Sequence, residues 1–138
     1  MRHRKSGSSL SRNTAARKAL MKSLSISLIE HGGIRTTLAK AKYLRPFLEP
    51  LITKAGDKNL ANFRYLFDRL RNKDAVYRLM DVVGPFYKER AGGYLRIIKD
   101  GYRNGDKAPA AIIQFVDITG LKEQLDKHEL NSTQVESA

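Results

Sequence analysis

The stretch Ile34-Arg35-Thr36-Thr37-Leu38-Ala39-Lys40-Ala41-Lys42 changes its period halfway along. Ile34 to Thr37 is short and β-branched, a composition that suits a pleated strand and reads as one. Thr37 then offers its hydroxyl as an N-cap to a helix whose apolar residues Leu38, Ala41, Leu44, Leu48 and Ile52 lie on one side. Pro46 and Pro50 sit inside that pattern, so the helix kinks or breaks there, and Gly56 closes it.

Upstream, Asn13 or Ser11 can cap a helix with Ala16, Leu20, Leu24 and Leu28 at four-residue intervals and Met21 beside them. His31-Gly32-Gly33 ends it, because glycine accepts the left-handed C-cap geometry. Arg2 to Ser11 is polar, serine-rich and without period, which reads as an extended arm. Downstream, Leu60, Phe63, Phe67 and Leu70 predict a helix from about Asn59 to Asn72. Val76, Leu79, Met80 and Val83 predict another over Asp74 to Val83, stopped by Gly84-Pro85. Gly93 to Asp100 and Ala110 to Val116 read as strands, joined by a loop with Asn104-Gly105-Asp106 and Pro109. The order α-β-α-α-α-β-β implies an α+β fold, a two-layer domain with a small mixed three-stranded sheet. No internal repeat is visible.

The chain has 138 residues, enough for one domain, and 26 Lys and Arg against 14 Asp and Glu, a formal charge of +12. The excess is uneven. Residues 1–29 hold Arg2, Arg4, Lys5, Arg12, Arg17, Lys18 and Lys22 and no acid, whereas Asp117, Glu123, Asp126, Glu129 and Glu136 outnumber Lys122 and Lys127 at the other end. Residues 1–116 therefore carry +15 and the rest −3. This division suggests an extended basic arm over 1–11, a globular domain over 12–117 and a flexible acidic tail over 118–138. The tail's Leu121, Leu125 and Leu130 are widely spaced, so it reads as disordered or a loose helix.

Several classes of chemistry find no support. There are no cysteines, which removes disulfides, thiolate metal sites and thiol nucleophiles. His3, His31 and His128 have no metal-ligand spacing, and His31 reads more simply as a cation at a helix C-terminus. Arg64 and Asp68 are an i, i+4 pair in a basic neighbourhood, and Asp106 sits where Asp commonly shapes turns, so no carboxylate pair calls for acid–base catalysis. Gly92, Gly93, Gly101 and Gly105 match no phosphate-binding fingerprint and read as turn geometry around strands. No run approaches the roughly 20 apolar residues of a bilayer span. No enzyme activity, cofactor, metal, membrane or small-molecule substrate is expected, nor a homo-oligomer.

The basic clusters point elsewhere, since a charge of +15 on one domain calls for a polyanion. Arg17, Lys18 and Lys22 lie off the Leu20, Leu24, Leu28 stripe, leaving one helix side for packing and another for phosphate. Arg35, the Thr36-Thr37 hydroxyls, the helix start they mark, Lys40 and Lys42 form a phosphate seat. Lys88, Arg90, Arg96, Lys99, Arg103 and Lys107 are interleaved with Phe86, Tyr87, Tyr94 and Tyr102. Arginine and tyrosine beside Gly92-Gly93 suit folded RNA, with room for close approach, a ring to stack and a fork for phosphate. A free regulatory nucleic-acid binder would show a helix-turn-helix or a dimer seam, and an RNA-processing enzyme a convergent acid–base pair or metal cluster.

Three blocks carry a family resemblance. Met1-Arg2-His3-Arg4-Lys5-Ser6-Gly7, with Leu10, Arg12 and Arg17, resembles the start of the seventeenth protein of the bacterial large ribosomal subunit. Ile34 to Lys42, with Leu44-Arg45, Glu49 and Leu51-Ile52-Thr53, is similar to that family's central motif. Arg90-Ala91-Gly92-Gly93-Tyr94-Leu95-Arg96-Ile97 and Gly105-Asp106-Lys107-Ala108-Pro109 are similar to its last strands and their connection. The likeness runs in register from residue 1 to about 117. Ala16, Ser23 and Ala39 depart from it, standing where His, Asn and Pro are usual.

The resemblance implies a structural ribosomal protein that binds large-subunit ribosomal RNA near the nascent-peptide tunnel exit, among neighbouring large-subunit proteins. It places RNA contacts on Arg2, His3, Arg4, Lys5, Arg12, Arg17, Arg35, Thr36, Thr37, Lys40, Lys42, Arg90, Gly93, Tyr94 and Arg96. The residue pattern adds Lys18, Lys22, Lys99, Arg103 and Lys107. The start at Met1 with no targeting stretch favours a bacterial cytoplasm.

Overall fold

The protein is represented by a computed structural model that describes residues 10–137. Helix α1 (Thr14–His31) leads into strand β1 (Gly33–Thr37), which runs directly into α2 (Leu38–Ala55). Then come α3 (Leu60–Leu70) and α4 (Lys73–Arg78), the latter continuing through a π-helical turn, Leu79–Val83, into a last turn, α5 (Gly84–Phe86). Strands β2 (Leu95–Tyr102) and β3 (Pro109–Phe115) form a hairpin, and α6 (Ile118–Ser137) follows.

The helix starts follow from their caps. The side chains of Asn13, Thr37, Asn59 and Asn72 each accept a hydrogen bond from the backbone N–H three residues on, satisfying a donor that has no partner within the helix. Gly32 ends α1 at φ 79°, its N–H bonded to Leu28 O at 2.7 Å.

The α+β class stands, with a sheet that is antiparallel throughout rather than mixed. Its order is β1-β3-β2, so the strand nearest the C-terminus lies in the middle. Leu95, Ile97, Ala111, Ile113 and Phe115 point to one side and pack towards α2, whose Ala41, Leu44, Leu48, Leu51, Ile52 and Ala55 form the spine of the core.

Four expectations need correction. Of the kink or break expected at Pro46 and Pro50, the break does not occur: α2 runs through both prolines, which are one turn apart and exposed, so that the carbonyls they leave unpaired face water. Gly84-Pro85 does not stop the preceding helix. The wider π turn shifts the hydrogen-bond ladder just ahead of Pro85, and Gly84 N–H bonds back to Leu79 O. The buried line of α1 is Met21, Ser25, Leu28 and Ile29, so the Leu20 and Leu24 stripe is only half-buried and Ala16 is exposed.

The fourth concerns the acidic tail: of the two readings, disordered or a loose helix, it forms helix α6, whose first turns dock on the body while most of its other side chains stay exposed. Leu121 and Leu125, one turn apart, are buried against the body, and Ile118 lies over Gly32 and Gly33. Arg78 pairs with Glu129, and Asp81 accepts Lys58 Nζ at 2.6 Å and lies 3.4 Å from His128 Nε2. Widely spaced leucines suffice for docking when two of them share a face.

Candidate nucleic-acid interface

Strand pairing decides which cations share a surface. Directly paired residues project to the same face of a sheet. Arg35 pairs with Ile112, which pairs with Ile98, while Gly33 pairs with Gln114, which pairs with Arg96. Arg35 and Arg96, far apart in sequence, therefore stand on one face together with Ile98, Ile112 and Gln114. This face is turned away from α2. Arg35, Arg96 and Ile98 are exposed and the other two half-buried. Arg35 Nε donates to Asp100 Oδ2 at 2.6 Å, a pair exposed on both sides that holds the guanidinium in place at little cost to its availability.

Lys99 falls on the opposite face, in one row with Ala111 and Thr36. That row lies at the end of the sheet where Thr37 caps α2, and Lys40 donates its N–H to Thr37 Oγ1 at 3.4 Å. Thr36, Thr37, Lys40 and Lys99 thus gather around the first turn of α2, whose remaining free N–H groups and positive dipole end favour an anion. Lys42 is exposed one turn further on.

On α1 the cations sit differently from the sequence reading. Arg17 and Lys18 continue the buried line of Met21 and Ser25 one turn past the end of the core, and Lys22 borders it. Arg17 donates to Arg12 O at 2.9 Å and Thr14 Oγ1 at 3.4 Å, and Arg12 donates to Leu10 O at 2.8 Å. These bonds shape the chain where it enters α1. Among the described residues no acid pairs with Lys18, Lys22, Lys40, Lys42, Arg96 or Lys99. Arg2, His3, Arg4 and Lys5 lie outside the described residues.

The loop before β2 is the clearest departure. Tyr94 is buried and offers no ring for stacking. Its ring packs 5.4 Å from that of Tyr87, and its hydroxyl lies 3.1 Å from Thr53 Oγ1 and donates to Arg90 O at 3.2 Å. Tyr94 therefore positions Arg90, whose side chain is exposed. Gly92 and Gly93 have φ of 98° and 64° with open space where a side chain would begin, so they serve turn geometry and leave the backbone bare. Thr53, Gly84, Lys88, Arg90 and Gly92 line an open cleft of about 460 Å³ beneath this loop. Tyr87 is sealed in the core with its hydroxyl bonded to Val116 O, and burial pushes its ionisation far upward.

At the hairpin tip Arg103 pairs with Asp106 through both Nε, at 3.0 Å, and Nη2. The Arg103 hydrogen bonds, helped by Ala108 N–H, pull the Asp106 carboxyl down to about 2. Lys107 adopts φ 55° in the turn, and Tyr102 is the most exposed large apolar side chain of the hairpin. The Arg64–Asp68 pair read from sequence does not form; Asp68 instead takes Arg71 at 3.0 Å.

Sequence reasoning passed over α3, where cations lie over aromatic rings: Lys54 and Arg69 over Tyr65, and Arg71 over Phe67. The available signal was the alternation Phe63-Arg64-Tyr65, Phe67, Arg69 and Arg71, which the helix turns into paired rings and guanidinium groups. No group of three or more acids and histidines close enough to hold a metal occurs among the described residues, and no described helix is long and apolar enough to cross a membrane. Residues 20–116, more than half of the chain, match the family model for Ribosomal protein L17.

Proposed function

Because the chain belongs to the ribosomal protein L17 family, it is a structural protein of the large ribosomal subunit, and we propose that it acts there by binding and bridging large-subunit ribosomal RNA. The family is structural and not enzymatic. The observation that carries the RNA reading is the sheet face turned away from α2, covered by Ile118 only at its Gly33 end, on which β1 and β2 present Arg35 and Arg96 beside Ile98 and Ile112. Guanidinium forks there meet phosphates bidentately, and the isoleucines give the sugar–base surface an apolar floor.

The other cations extend this surface. Lys18 and Lys22 on α1, Lys40, Lys42 and Lys99 around the start of α2, and Arg90 and Lys88 beside the bare Gly92-Gly93 backbone supply further phosphate contacts. The acid-free stretch of residues 1–29 supplies an anchor whose ordering is offset by many simultaneous contacts. Arg103 and Lys107 reach outward at the hairpin tip. The position near the nascent-peptide tunnel exit, the neighbouring large-subunit proteins as partners and a bacterial setting rest on the resemblance of the three sequence blocks.

The test is co-sedimentation of the full chain with large subunits through rising salt, followed by affinity for purified large-subunit ribosomal RNA. Arg35→Gln with Arg96→Gln removes two exposed cations and leaves the core untouched. If each neutralises one phosphate of duplex RNA, log affinity against log salt becomes shallower by roughly 2 units. An unchanged slope in a folded double variant would remove the sheet face from the interface. Absence of any RNA binding by the wild-type chain would overturn the reading altogether.

A further inference from the structure

Each arginine of the sheet face is held by a side chain from another strand, and the two holders differ in charge. Arg35 on β1 donates its Nε to the Asp100 carboxylate on β2. Arg96 on β2 turns instead to a neutral amide, that of Gln114 on β3. The Gln114 side-chain oxygen accepts from both Arg96 Nε and Arg96 Nη2 at 2.8 Å. Chemistry allows only this orientation, because the amide nitrogen in that place would set donor against donor. The paired bonds grip one edge of the guanidinium and leave Nη1 and the outer N–H of Nη2 free.

Three features equip Gln114 for this. Strand register puts Gly33, Gln114 and Arg96 in one row across the sheet. Gln114 is half-buried on the middle strand, so neighbours on both sides confine its own rotamer. Gly33 makes the room: a Cβ there would lie 3.1 Å from Gln114 Cβ and 3.5 Å from Ile118 Cδ1. Ile118, at the start of α6, thus closes the row at the end opposite Arg96.

Fixing a guanidinium changes what it selects. A mobile arginine meets any phosphate within reach, and attraction of that kind carries no information about shape. Two held groups at a set separation fit one arrangement of phosphates better than others, because the ordering is done before binding. The strand spacings place the Arg35 and Arg96 Cα atoms about 12 Å apart. Among the described residues no acid pairs with Arg96, so its direction is set while its charge stays whole.

We propose that Gln114 is a positioning residue for recognition: it fixes the Arg96 guanidinium from the middle strand and thereby favours the folded large-subunit RNA over RNA of other shape. This rests on the reading of the sheet face as an RNA interface.

The experiment compares two variants of the full chain. Gln114→Met keeps the length of the side chain and loses the acceptor, whereas Gln114→Glu keeps an acceptor for Arg96. In the RNA-free protein, the NMR order parameter of the Arg96 Nε–H group should be high in the wild type, below about 0.6 in Gln114→Met and restored in Gln114→Glu. Affinity is then measured for large-subunit ribosomal RNA and for an unrelated structured RNA. Gln114→Met should bind the first roughly three- to tenfold more weakly, the scale of ordering one long side chain on binding. Its salt slope should not change, since no charge is lost, and the unrelated RNA should bind as before. Gln114→Glu should regain most of the lost affinity. In an Arg96→Gln background Gln114→Met should add nothing, a result that general weakening of the fold does not produce. Equal order in wild type and Gln114→Met, an equal loss for both RNAs, or the same loss in the Arg96→Gln background overturns the proposal. Release of the Arg96 side chain in Gln114→Met, with RNA affinity and salt slope indifferent to Arg96→Gln, shows instead that the RNA reading of the sheet face is what failed.

Discussion

Replacing Gly84 with alanine adds one methyl group at the tightest crossing in the molecule. Its Cβ would lie 2.2 Å from Ala55 O, 2.4 Å from Ala55 C and 2.9 Å from Gly56 N, all of them backbone atoms. Ordinary contact needs more than 3 Å, so the C-terminal end of α2 and the turn of α5 must separate by about 1 Å. No side chain can rotate out of the way. Gly84 has helical dihedrals, φ −57° and ψ −56°, so helix propensity alone favours alanine by about 1 kcal/mol. Overpacking against a rigid neighbour costs about 1–3 kcal/mol and sometimes more, and a clash with backbone on both sides belongs at the upper end. The net expectation is a loss of about 2 kcal/mol, near thirtyfold in the folding equilibrium, and a fall in melting temperature of about 7 °C. Urea and thermal unfolding of the purified variant, followed by circular dichroism, read both quantities. Because Gly84 also lines the cleft beside Lys88 and Arg90, RNA affinity should fall in parallel. An unchanged or raised melting temperature would refute the close-crossing argument, since it would show propensity winning over contact.

Other substitutions test other parts. Ser25 is fully buried and its hydroxyl has no hydrogen-bond partner among the described residues, so Ser25→Ala should stabilise the fold by about 1 kcal/mol in chemical unfolding; a loss of that size would reveal a partner. Leu121→Ala should cost about 3 kcal/mol, because Leu121 is fully buried where α6 docks, and an unaffected midpoint would mean that α6 contributes nothing to the core. Asp106 should titrate near 2 by carboxyl NMR and return towards 3.8 in Arg103→Gln. Its folded value is depressed, so the contribution of this turn is complete above the ordinary carboxylate range and fades as pH falls towards 2; a normal midpoint in the wild-type chain would contradict the pairing.

Local signals were legible where one residue type has one physical use. Asn13 and Thr37 cap their helices as the sequence implied, and Gly32 takes the left-handed C-cap. Signals that depend on the surroundings misled. Pro46, Pro50 and Pro85 look like breaks until it is known that the first two face water and that a π turn precedes the third. α6 looked too polar to dock, because its apolar contact is concentrated in Leu121 and Leu125, and their binding site is assembled from distant residues. The face assignment on α1 failed for a related reason: the leucine stripe and the Met21-Ser25-Ile29 line are neighbours, and only packing chooses between them.

The candidate interface shows the same division. Its cations were visible as residue types, but the grouping of Arg35 with Arg96, and the separation of both from Lys99, depends on strand register. Tyr94 was misjudged because tyrosine serves equally as an exposed stacking ring and as a buried anchor with a polar tip. Its hydroxyl contacts to Thr53 and Arg90 fix it in the second role.

The central claim is that the sheet face carrying Arg35 and Arg96 lies against ribosomal RNA. The most direct measurement is a map of the intact large subunit at a resolution that shows side chains. It should show RNA phosphate density within hydrogen-bond distance of both guanidinium groups, with further phosphates beside Lys18 and Lys22. A sheet face turned to solvent, or covered by protein alone, would contradict it.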